Sequence, residues 1–215
     1  VGRGLRLNDL ADPHEYVVIP AHADLDFGKY RDFSVALWAR HVGAFDNNQS
    51  IGGSASNPAM ISNKDWSSGS NIGWFIGGQP DGSWKWNIAN GTNRADFTLS
   101  NRDESGDGTW HHVLVTHDRD GKASFYFDGK AVGSTSINGI GDVGSGLPLG
   151  IGSDGTGAFW FDGDLDEVAI WGRVLTPEEA SEVYSRGYTG GTITGSNSLD
   201  LDLDGLPDGW EVSFF

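Results

Sequence analysis

The sequence contains no cysteine, a single methionine and no apolar run near the length of a membrane-spanning helix. The absence of cysteine excludes disulfide cross-links and thiolate metal sites. Basic residues are also few, since 14 lysines and arginines face 30 acids and give a formal net charge of −16. Such a charge argues against nucleic acid and against anionic membranes as partners. These absences leave an acidic chain that folds without covalent cross-links.

The excess of acids fits calcium binding, because an exported protein without disulfides often uses calcium as its cross-link. We therefore expect calcium as the cofactor and a secreted or extracellular location. Val1 is not an initiator methionine, and no signal-like segment precedes the first predicted strand. We accordingly expect the chain to be a piece of a longer protein.

The residues that are abundant favour short strands and tight turns. The 215 residues include 33 glycines and nine tryptophans, which suits β-structure better than long helices. Short apolar or alternating runs between turn residues predict an all-β, two-sheet antiparallel sandwich. The eleven predicted strands are Leu5–Leu7, Tyr16–Ile19, Phe33–Ala39, Ala59–Asn63, Trp74–Ile76, Trp84–Ile88, Phe97–Leu99, Trp110–Thr116, Ala123–Phe127, Leu147–Ile151 and Leu165–Trp171.

Two stretches carry the clearest local signals. The polar turn Asp118–Gly121 separates two runs rich in Val, Phe and Tyr, which predicts an antiparallel hairpin. Further on, Thr176 precedes Pro177 and stands three residues before Glu179, which is the pattern of a capped helix start. We expect a short C-terminal helix over Pro177–Arg186 that ends at Gly187.

The same stretches resemble the laminin-G-like, concanavalin-A-type jelly roll of bacterial secreted proteins. The motifs, in the order of that family, are GLRLNDLADPHEYVVIP and DFSVALWARHV at the start, then WHHV, YFDG, FDGDLDEVAIW and LTPEEA. The resemblance covers roughly Val1 to Tyr188. It implies a jelly roll with one short C-terminal helix, in a family whose members mostly bind glycans or proteins rather than catalyse.

The acidic tail matches a twelve-residue calcium loop position by position, with a glycine at its sixth position. Its predicted ligands are Asp200, Asp202, Asp204, Leu206 through its carbonyl, Asp208 and Glu211. The tail resembles the Asp-rich calcium-binding repeats of thrombospondin type 3. We therefore divide the chain into a sandwich (1–188), a flexible linker (189–198) and a truncated EF-hand-like calcium loop (199–215).

The resemblance also implies a structural calcium in the sandwich. Its ligands would be Asp166 on a late strand, Asn8 or Asp9 near the amino terminus, and the carbonyl of Gly43. The alternative is that Asp166 only caps a turn or pairs with Arg173.

The sequence lacks the catalytic patterns of enzymes that share this fold. The Glu-x-Asp-x-x-Glu string of retaining glucanases is absent, and so are the alginate-lyase strings and the Gly-x-Ser-x-Gly elbow. The pair His111-His112 belongs to the fold's own signature, with one side chain expected on each face of its strand. We therefore expect that the chain is not an enzyme.

Aromatic and polar residues in long loops provide the candidate ligand surface, because sugar sites combine a stacking ring with hydrogen-bonding groups. The two tryptophans of this surface, Trp66 and Trp160, can equally be buried under their loops. Two arginines would suit an anionic polysaccharide in an otherwise negative domain. The predicted ligand-binding residues are Trp66, Asn71, Arg94, Arg102 and Trp160.

These features predict a non-catalytic carbohydrate-binding module of a larger secreted polysaccharide-active or adhesive protein. Its expected partners are a glycan and the neighbouring domains of the same polypeptide, with no nucleic acid and no membrane. The first alternative is a protein-interaction or spacer domain that binds no sugar. The second is a hydrolase or lyase with an unfamiliar site.

Overall fold

A computed structural model describes residues 4–7, 14–42, 57–79, 81–99 and 106–189. This part of the chain contains β-strands, a short 3-10 helix at Ala23–Leu25 and an α-helix, α1, at Pro177–Thr189. The strands are β1 (Leu5–Leu7), β2 (Val17–Ile19), β3 (Phe33–Arg40), β4 (Ala59–Ser62), β5 (Gly73–Gly78), β6 (Trp84–Ala89), β7 (Arg94–Leu99), β8 (His111–His117), β9 (Lys122–Phe127), β10 (Lys130–Ser136), β11 (Leu149–Ile151) and β12 (Gly163–Trp171).

The strands form two six-stranded antiparallel sheets. Sheet A has the order β1-β12-β3-β8-β9-β10, and sheet B has the order β2-β11-β4-β5-β6-β7. Neighbouring strands in each sheet are often distant in sequence, as in β12 beside β3, which is the connectivity of a jelly roll. The predicted all-β sandwich with one short C-terminal helix is therefore confirmed.

All eleven predicted strands are present, with ends shifted by up to three residues. The strand that the sequence did not reveal is β10, Lys130–Ser136. It lies at the edge of sheet A, pairs only with β9 and is almost wholly exposed. An exposed edge strand needs no apolar alternation, so its polar sequence carries no strand signal.

The main core fills the space between the inner faces of the two sheets. Trp84, Trp86 and Ile88 of β6 all point into it, because alternate side chains of a strand share one face. On β8, Val113 and Val115 do the same from sheet A. The sandwich therefore buries one face of each sheet and leaves two outer faces for other contacts.

Helix α1 packs on the outer face of sheet A. Its Ala180 and Val183 join a second apolar cluster with residues of β3, β8, β9 and β12. The predicted capping box is formed, since Thr176 N–H donates to Glu179 Oε2 over 2.7 Å and Glu179 N–H donates to Thr176 Oγ1 over 3.2 Å. Within the described ranges, no helix is long and apolar enough to cross a membrane.

The predicted end of the helix at Gly187 is wrong, because α1 continues to Thr189. Gly187 is buried inside the helix, where a Cβ would stand 2.4 Å from Trp38 Nε1 and 2.6 Å from Glu167 Oε2. The glycine is therefore required for close approach of the helix to sheet A, not for a left-handed helix end.

Replacing Gly187 by alanine is expected to destabilise the protein, although alanine normally favours a helix over glycine. The new methyl group overlaps Trp38 and Glu167, and overpacking of this kind costs about 1–3 kcal/mol. Denaturant unfolding followed by circular dichroism measures the change. Ser181→Ala, at an exposed position of the same helix, is the matched control. An increase in stability of Gly187→Ala would contradict the close-approach role.

Candidate functional site

A row of side chains lies on the outer side of sheet B, the face opposite the core. Phe75, Asn87 and Asp96 stand side by side on β5, β6 and β7 in the observed register. Trp86 and Ile88, which flank Asn87, belong to the core. Because side chains alternate along a strand, the row of Asn87 points away from the core.

The loop of residues 65–72, between β4 and β5, covers part of this row. The Trp66 indole stacks on Phe75 with ring centroids 4.0 Å apart and an interplanar angle of 11°. Its backbone N–H donates to Asp154 Oδ2 over 2.8 Å, and the residue is only 7% exposed. Of the two alternatives that the sequence left open, Trp66 is the ring buried under its loop.

Lys64, immediately before this loop, ties the loop to the sheet. Its side chain is buried, and Nζ donates to the carbonyl of Gly69 over 3.0 Å and to Asn87 Oδ1. The ammonium also lies 5.3 Å from the centre of the Trp66 ring. Burial lowers the pKa of Lys64 to about 7, because the charged form loses its hydration. Neutral oxygens and an aromatic ring thus hold this buried amine.

Asp96 is shared by two further cations. Lys85 Nζ lies 2.8 Å from its Oδ1, and Arg94 Nε lies 3.2 Å from its Oδ2. Burial opposes ionisation of this carboxyl group, but hydrogen bonds from Lys85 and Asn87 and the charges of both cations hold its pKa below the usual value. Asp96 is therefore ionised at neutral pH.

We call Lys64, Lys85, Asn87, Arg94 and Asp96 the polar face. It contains three basic side chains and one carboxylate, although the chain as a whole has a net charge of −16. The Arg94 side chain is 54% exposed and that of Lys85 is 16% exposed. Because Lys64, with a pKa of about 7, is only partly charged at neutral pH, the positive charge of the polar face comes mainly from Lys85 and Arg94, and Arg94 is the cation more open to solvent.

Three of the five predicted ligand residues, Trp66, Asn71 and Arg94, come together at this loop and sheet. Asn71 uses its amide within the loop, donating to the carbonyl of Asp65 over 3.0 Å. Arg94 reaches the loop as well, since its Nη1 lies 2.9 Å from where a Cβ on Gly69 would stand. Arg102 lies outside the described residues.

Trp160 belongs to the neighbouring loop. Its indole N–H donates to the carbonyl of Gly157 over 2.9 Å, and its ring stacks on His14 with centroids 3.4 Å apart. The adjacent Phe159 packs against the cluster of Trp66 and Phe75. Trp160 is half-buried and stacks on His14, which does not belong to the polar face.

Comparison with known proteins assigns the family. Residues 12–181 match the model of the concanavalin A-like lectin/glucanases superfamily. The chain belongs to this family. The resemblance drawn from the sequence motifs is thereby confirmed for the sandwich. The resemblance of the tail to thrombospondin repeats stays a prediction, since residues 190–215 are outside the described part.

Solved structures of the superfamily's fold include several toxin binding domains. The binding domain of Paraclostridial Mosquitocidal Protein 1 has a TM-score of 0.68 at 20% identity, over 86% of this chain and 43% of that chain. The binding domain of botulinum neurotoxin serotype G has a TM-score of 0.63 at 17% identity, over 86% and 45%. The ligand binding domain of serotype D, solved in complex with N-acetylneuraminic acid, has a TM-score of 0.60 at 15% identity, over 80% and 40%. The chain thus shares their fold and spans less than half of each.

Of the predicted metal ligands in this superfamily domain, the structure describes only Asp166. Its Oδ1 accepts from Glu167 N–H over 2.9 Å, while its buried Oδ2 has no hydrogen-bond partner among the residues that the structure describes. The buried Oε2 of Glu167 has none either, and burial together with the charge of Asp166 raises the pKa of Glu167. The alternative pairing with Arg173 is not formed, because Arg173 binds Glu179 at 2.8 Å.

The other predicted metal ligands, Asp9, Gly43 and the tail residues, lie outside the described residues. These tail residues are Asp200, Asp202, Asp204, Leu206, Asp208 and Glu211. Within the described ranges, no group of three or more His, Asp or Glu side chains is arranged to hold a metal ion. Calcium therefore stays a prediction at both places.

The histidine pair occupies both faces of β8, as expected. His111 stacks on Phe127 on the core side, whereas His112 contacts Trp38 and Tyr184 under α1. Both residues are buried, and burial lowers the pKa of His112 to about 4. Their roles in the superfamily domain are thus packing contacts, one on each side of sheet A.

Thr109, His111 and Asp128 resemble a nucleophile, base and orienting acid. His111 Nε2 lies 3.0 Å from Thr109 Oγ1, and Nδ1 lies 2.9 Å from Asp128 Oδ2. However, the Thr109 hydroxyl donates to Asp107 Oδ1 over 2.7 Å. Hydrogen bonding to Asp128 raises the pKa of His111, which favours the imidazolium. The geometry therefore favours a structural ion pair over an activated nucleophile.

Sequence reasoning missed four members of the polar face: Lys64, Lys85, Asn87 and Asp96. For two of them a signal was present. Lys85 and Asn87 alternate with the core residues Trp84, Trp86 and Ile88, so they must occupy the other face of the same strand. Lys64 and Asp96 are brought to this face only by the pairing of β4 to β7.

Stability is expected to fall as the solution is acidified below about pH 6.5. Burial lowers the folded-state pKa to about 4 for His41 and His112 and to about 3 for His117. On acidification the unfolded chain therefore takes up these protons before the folded chain does. The free energy of unfolding then falls by about 1.4 kcal/mol per pH unit for each histidine. His111 acts in the opposite direction, because its raised pKa adds stability below its folded pKa.

Urea unfolding between about pH 7 and pH 5 measures this slope. In His112→Gln the slope of the free energy of unfolding against pH is expected to be smaller by the contribution of about one proton, because glutamine does not titrate. A slope that His112→Gln does not alter would mean that folding does not lower the pKa of His112.

Proposed function

We propose that this chain is a non-catalytic carbohydrate-binding module of a larger secreted, bacterial polysaccharide-active or adhesive protein. Membership of the concanavalin A-like superfamily supports a binding role, as do the binding domains among the structures of the same fold. The serotype D domain was solved with a sugar acid, but this chain corresponds to only 40% of it. The specific argument must therefore come from the residues of this chain.

The observation that carries the proposal is the charge of the polar face. Arg94, Lys85 and the partly charged Lys64 outnumber Asp96 on one face of sheet B, and the Arg94 side chain is 54% exposed. Guanidinium groups bind carboxylates and sulfates through charge-assisted hydrogen bonds. The ligand class that fits is a glycan with acidic substituents, which the rest of this acidic domain would otherwise repel.

Arg94 is the residue that tests this site. Trp66→Ala is a less specific test of the site, because Trp66 is buried on Phe75 and its removal would also loosen the loop. Arg94→Ala is expected to weaken retention on alginate or polygalacturonate in affinity electrophoresis about tenfold, since a charge-assisted hydrogen bond is lost. Wild-type retention is expected to fall with added salt.

Lys130→Ala, which removes an exposed cation from the edge of sheet A, is the matched control and is expected to retain full binding. A turnover assay on the same polysaccharides runs in parallel, and release of product would contradict the non-catalytic module. No retention on acidic or neutral polysaccharides, with no turnover, would favour the protein-interaction or spacer domain instead. Equal retention of wild type and Arg94→Ala would remove the polar face from the proposal.

We further propose that calcium stabilises the sandwich at Asp166. The proposal is supported by the buried Oδ2 of Asp166 and Oε2 of Glu167, two carboxylate oxygens on adjacent residues that have no hydrogen-bond partner within the described ranges. Anionic oxygens are the ligands that calcium prefers, and a buried carboxylate without a partner is costly. The proposed tail site, from Asp200 to Glu211, would instead stiffen the joint to a following domain.

Calcium is expected to raise the melting temperature of the wild-type chain, because a ligand that binds only the native state stabilises it. At a calcium concentration one hundred times the Kd, the free energy of unfolding rises by about 2.7 kcal/mol. Asp166→Asn is expected to remove most of this response, measured by scanning calorimetry in calcium and in a chelator. Asp120→Asn is a control at an exposed position, and the double variant Asp202→Asn, Asp204→Asn tests the tail separately. A melting temperature that chelation leaves unchanged would exclude the Asp166 site.

A further inference from the structure

A cleft of about 240 Å³ opens on a part of the sandwich that does not include the polar face. One wall is the connection between β2 and β3, from Ala21 to Asp26. The opposite wall is the segment from Gly144 to Leu147, together with Leu149 of β11 and Asn63 at the end of β4. The cleft shares no lining residue with the polar face, so it is a separate candidate site.

The cleft combines an aliphatic surface with hydrogen-bonding groups. Leu25, Leu147 and Leu149 supply apolar walls, and Asp26 and His22 add a carboxylate and an imidazole. Ligand sites in proteins have this composition, with apolar walls and a few polar groups that fix orientation. The volume lies just below the range of about 300–1,000 Å³ that holds drug-sized ligands. A single sugar-sized ring is therefore the largest ligand that fits.

The polar groups offer both an acceptor and a donor. His22 Nδ1 lies 3.3 Å from the backbone nitrogen of Asp24 and 3.1 Å from its Oδ2, which leaves Nε2 for a ligand, as a donor or an acceptor according to the tautomer. Asp26 Oδ1 accepts from Gly28 N–H over 3.0 Å, and a carboxylate has further acceptor capacity. Paired donors and acceptors beside an apolar wall match the hydroxyl groups and C–H face of a pyranose.

The wall from Gly144 to Leu147 is preformed. Ser145 Oγ donates to the carbonyl of Asn63 and accepts from Leu147 N–H over 3.1 Å, so the hydroxyl fixes the turn. Gly146 has φ of 70°, and nothing lies within 4 Å of where its Cβ would stand. The absence of a side chain at this position keeps the turn's backbone open to a ligand.

The charge of the cleft selects against anions. Its lining contains the carboxylate of Asp26 and includes neither lysine nor arginine. Arg31 is not among the lining groups, and its Nη1 donates to the carbonyls of Ala23 and Asp26 in the cleft wall over 3.0 and 3.2 Å. A carboxylate or sulfate in this cleft would meet Asp26 without a compensating cation.

From its size, walls and charge, we infer that this cleft binds a single pyranose ring that carries no negative charge. The cleft thus selects a ligand without the negative charge that suits the polar face. The inference does not rest on acidic-glycan binding at the polar face, and either site can exist without the other.

Saturation-transfer NMR on the full chain tests the inference, with methyl glucoside, methyl galactoside, methyl mannoside, glucuronate and galacturonate as probes. At least one neutral glycoside is expected to bind with a Kd of about 1 mM, and both uronates at least tenfold more weakly. Ala21→Trp, which places an indole in the cleft, is expected to abolish the signal. Ala131→Trp, at an exposed position of β10, is the matched control and is expected to preserve it.

Asp26→Asn is expected to reduce the discrimination against uronates, because the amide keeps the acceptor for Gly28 N–H and loses the negative charge. Arg94→Ala is expected to leave glycoside binding unchanged, which separates this cleft from the polar face. The inference fails if no neutral glycoside gives saturation transfer at about 10 mM. It also fails if Ala21→Trp retains the signal or if the uronates bind as well as the glycosides.

Discussion

The hydrogen bond between Trp86 and His117 joins the two sheets through the middle of the core. The indole N–H of Trp86, on β6 of sheet B, donates to His117 Nε2, on β8 of sheet A, over 3.0 Å. The other ring nitrogen of His117 lies 3.3 Å from the carbonyl of Phe33 on β3. Since Nε2 accepts, the proton of this neutral imidazole is on Nδ1 and points to that carbonyl. Burial lowers the pKa of His117 to about 3, so the arrangement persists through the neutral range.

This bond is directional, unlike the apolar packing around it, and so it helps to fix the register of one sheet over the other. Phe33 stacks on the His117 ring with centroids 3.8 Å apart, which adds β3 to the same contact. With both inner faces occupied in this way, functional chemistry must lie on the outer faces, the edges and the ends. Helix α1 covers part of the outer face of sheet A, and loop 65–72 covers part of sheet B.

The cleft and the polar face differ in charge, although residues adjacent in the chain contribute to them. Asn63 lines an acid-bearing cleft, and Lys64, the next residue, belongs to a polar face rich in cations. These neighbouring residues belong to different surfaces because their contacts point to different parts of the sandwich. The backbone carbonyl of Asn63 accepts from Ser145 in the cleft wall, whereas the ammonium of Lys64 donates to Asn87 on the polar face. A strongly acidic domain can in this way present both a cationic and an anionic surface.

The sequence by itself determined the fold class, eleven strands, the capping box and the family, because these depend on local periodicity and on motifs near one another in the chain. The tertiary structure alone decided which polar residues share a site. Lys64, Asn87 and Asp96 are far apart in sequence, and only strand register makes them neighbours. It also decided that Trp66 is buried and that Gly187 stays in the helix, because both depend on atoms of distant strands. Local patterns report the face on which a residue lies, whereas its contacts depend on the pairing of segments.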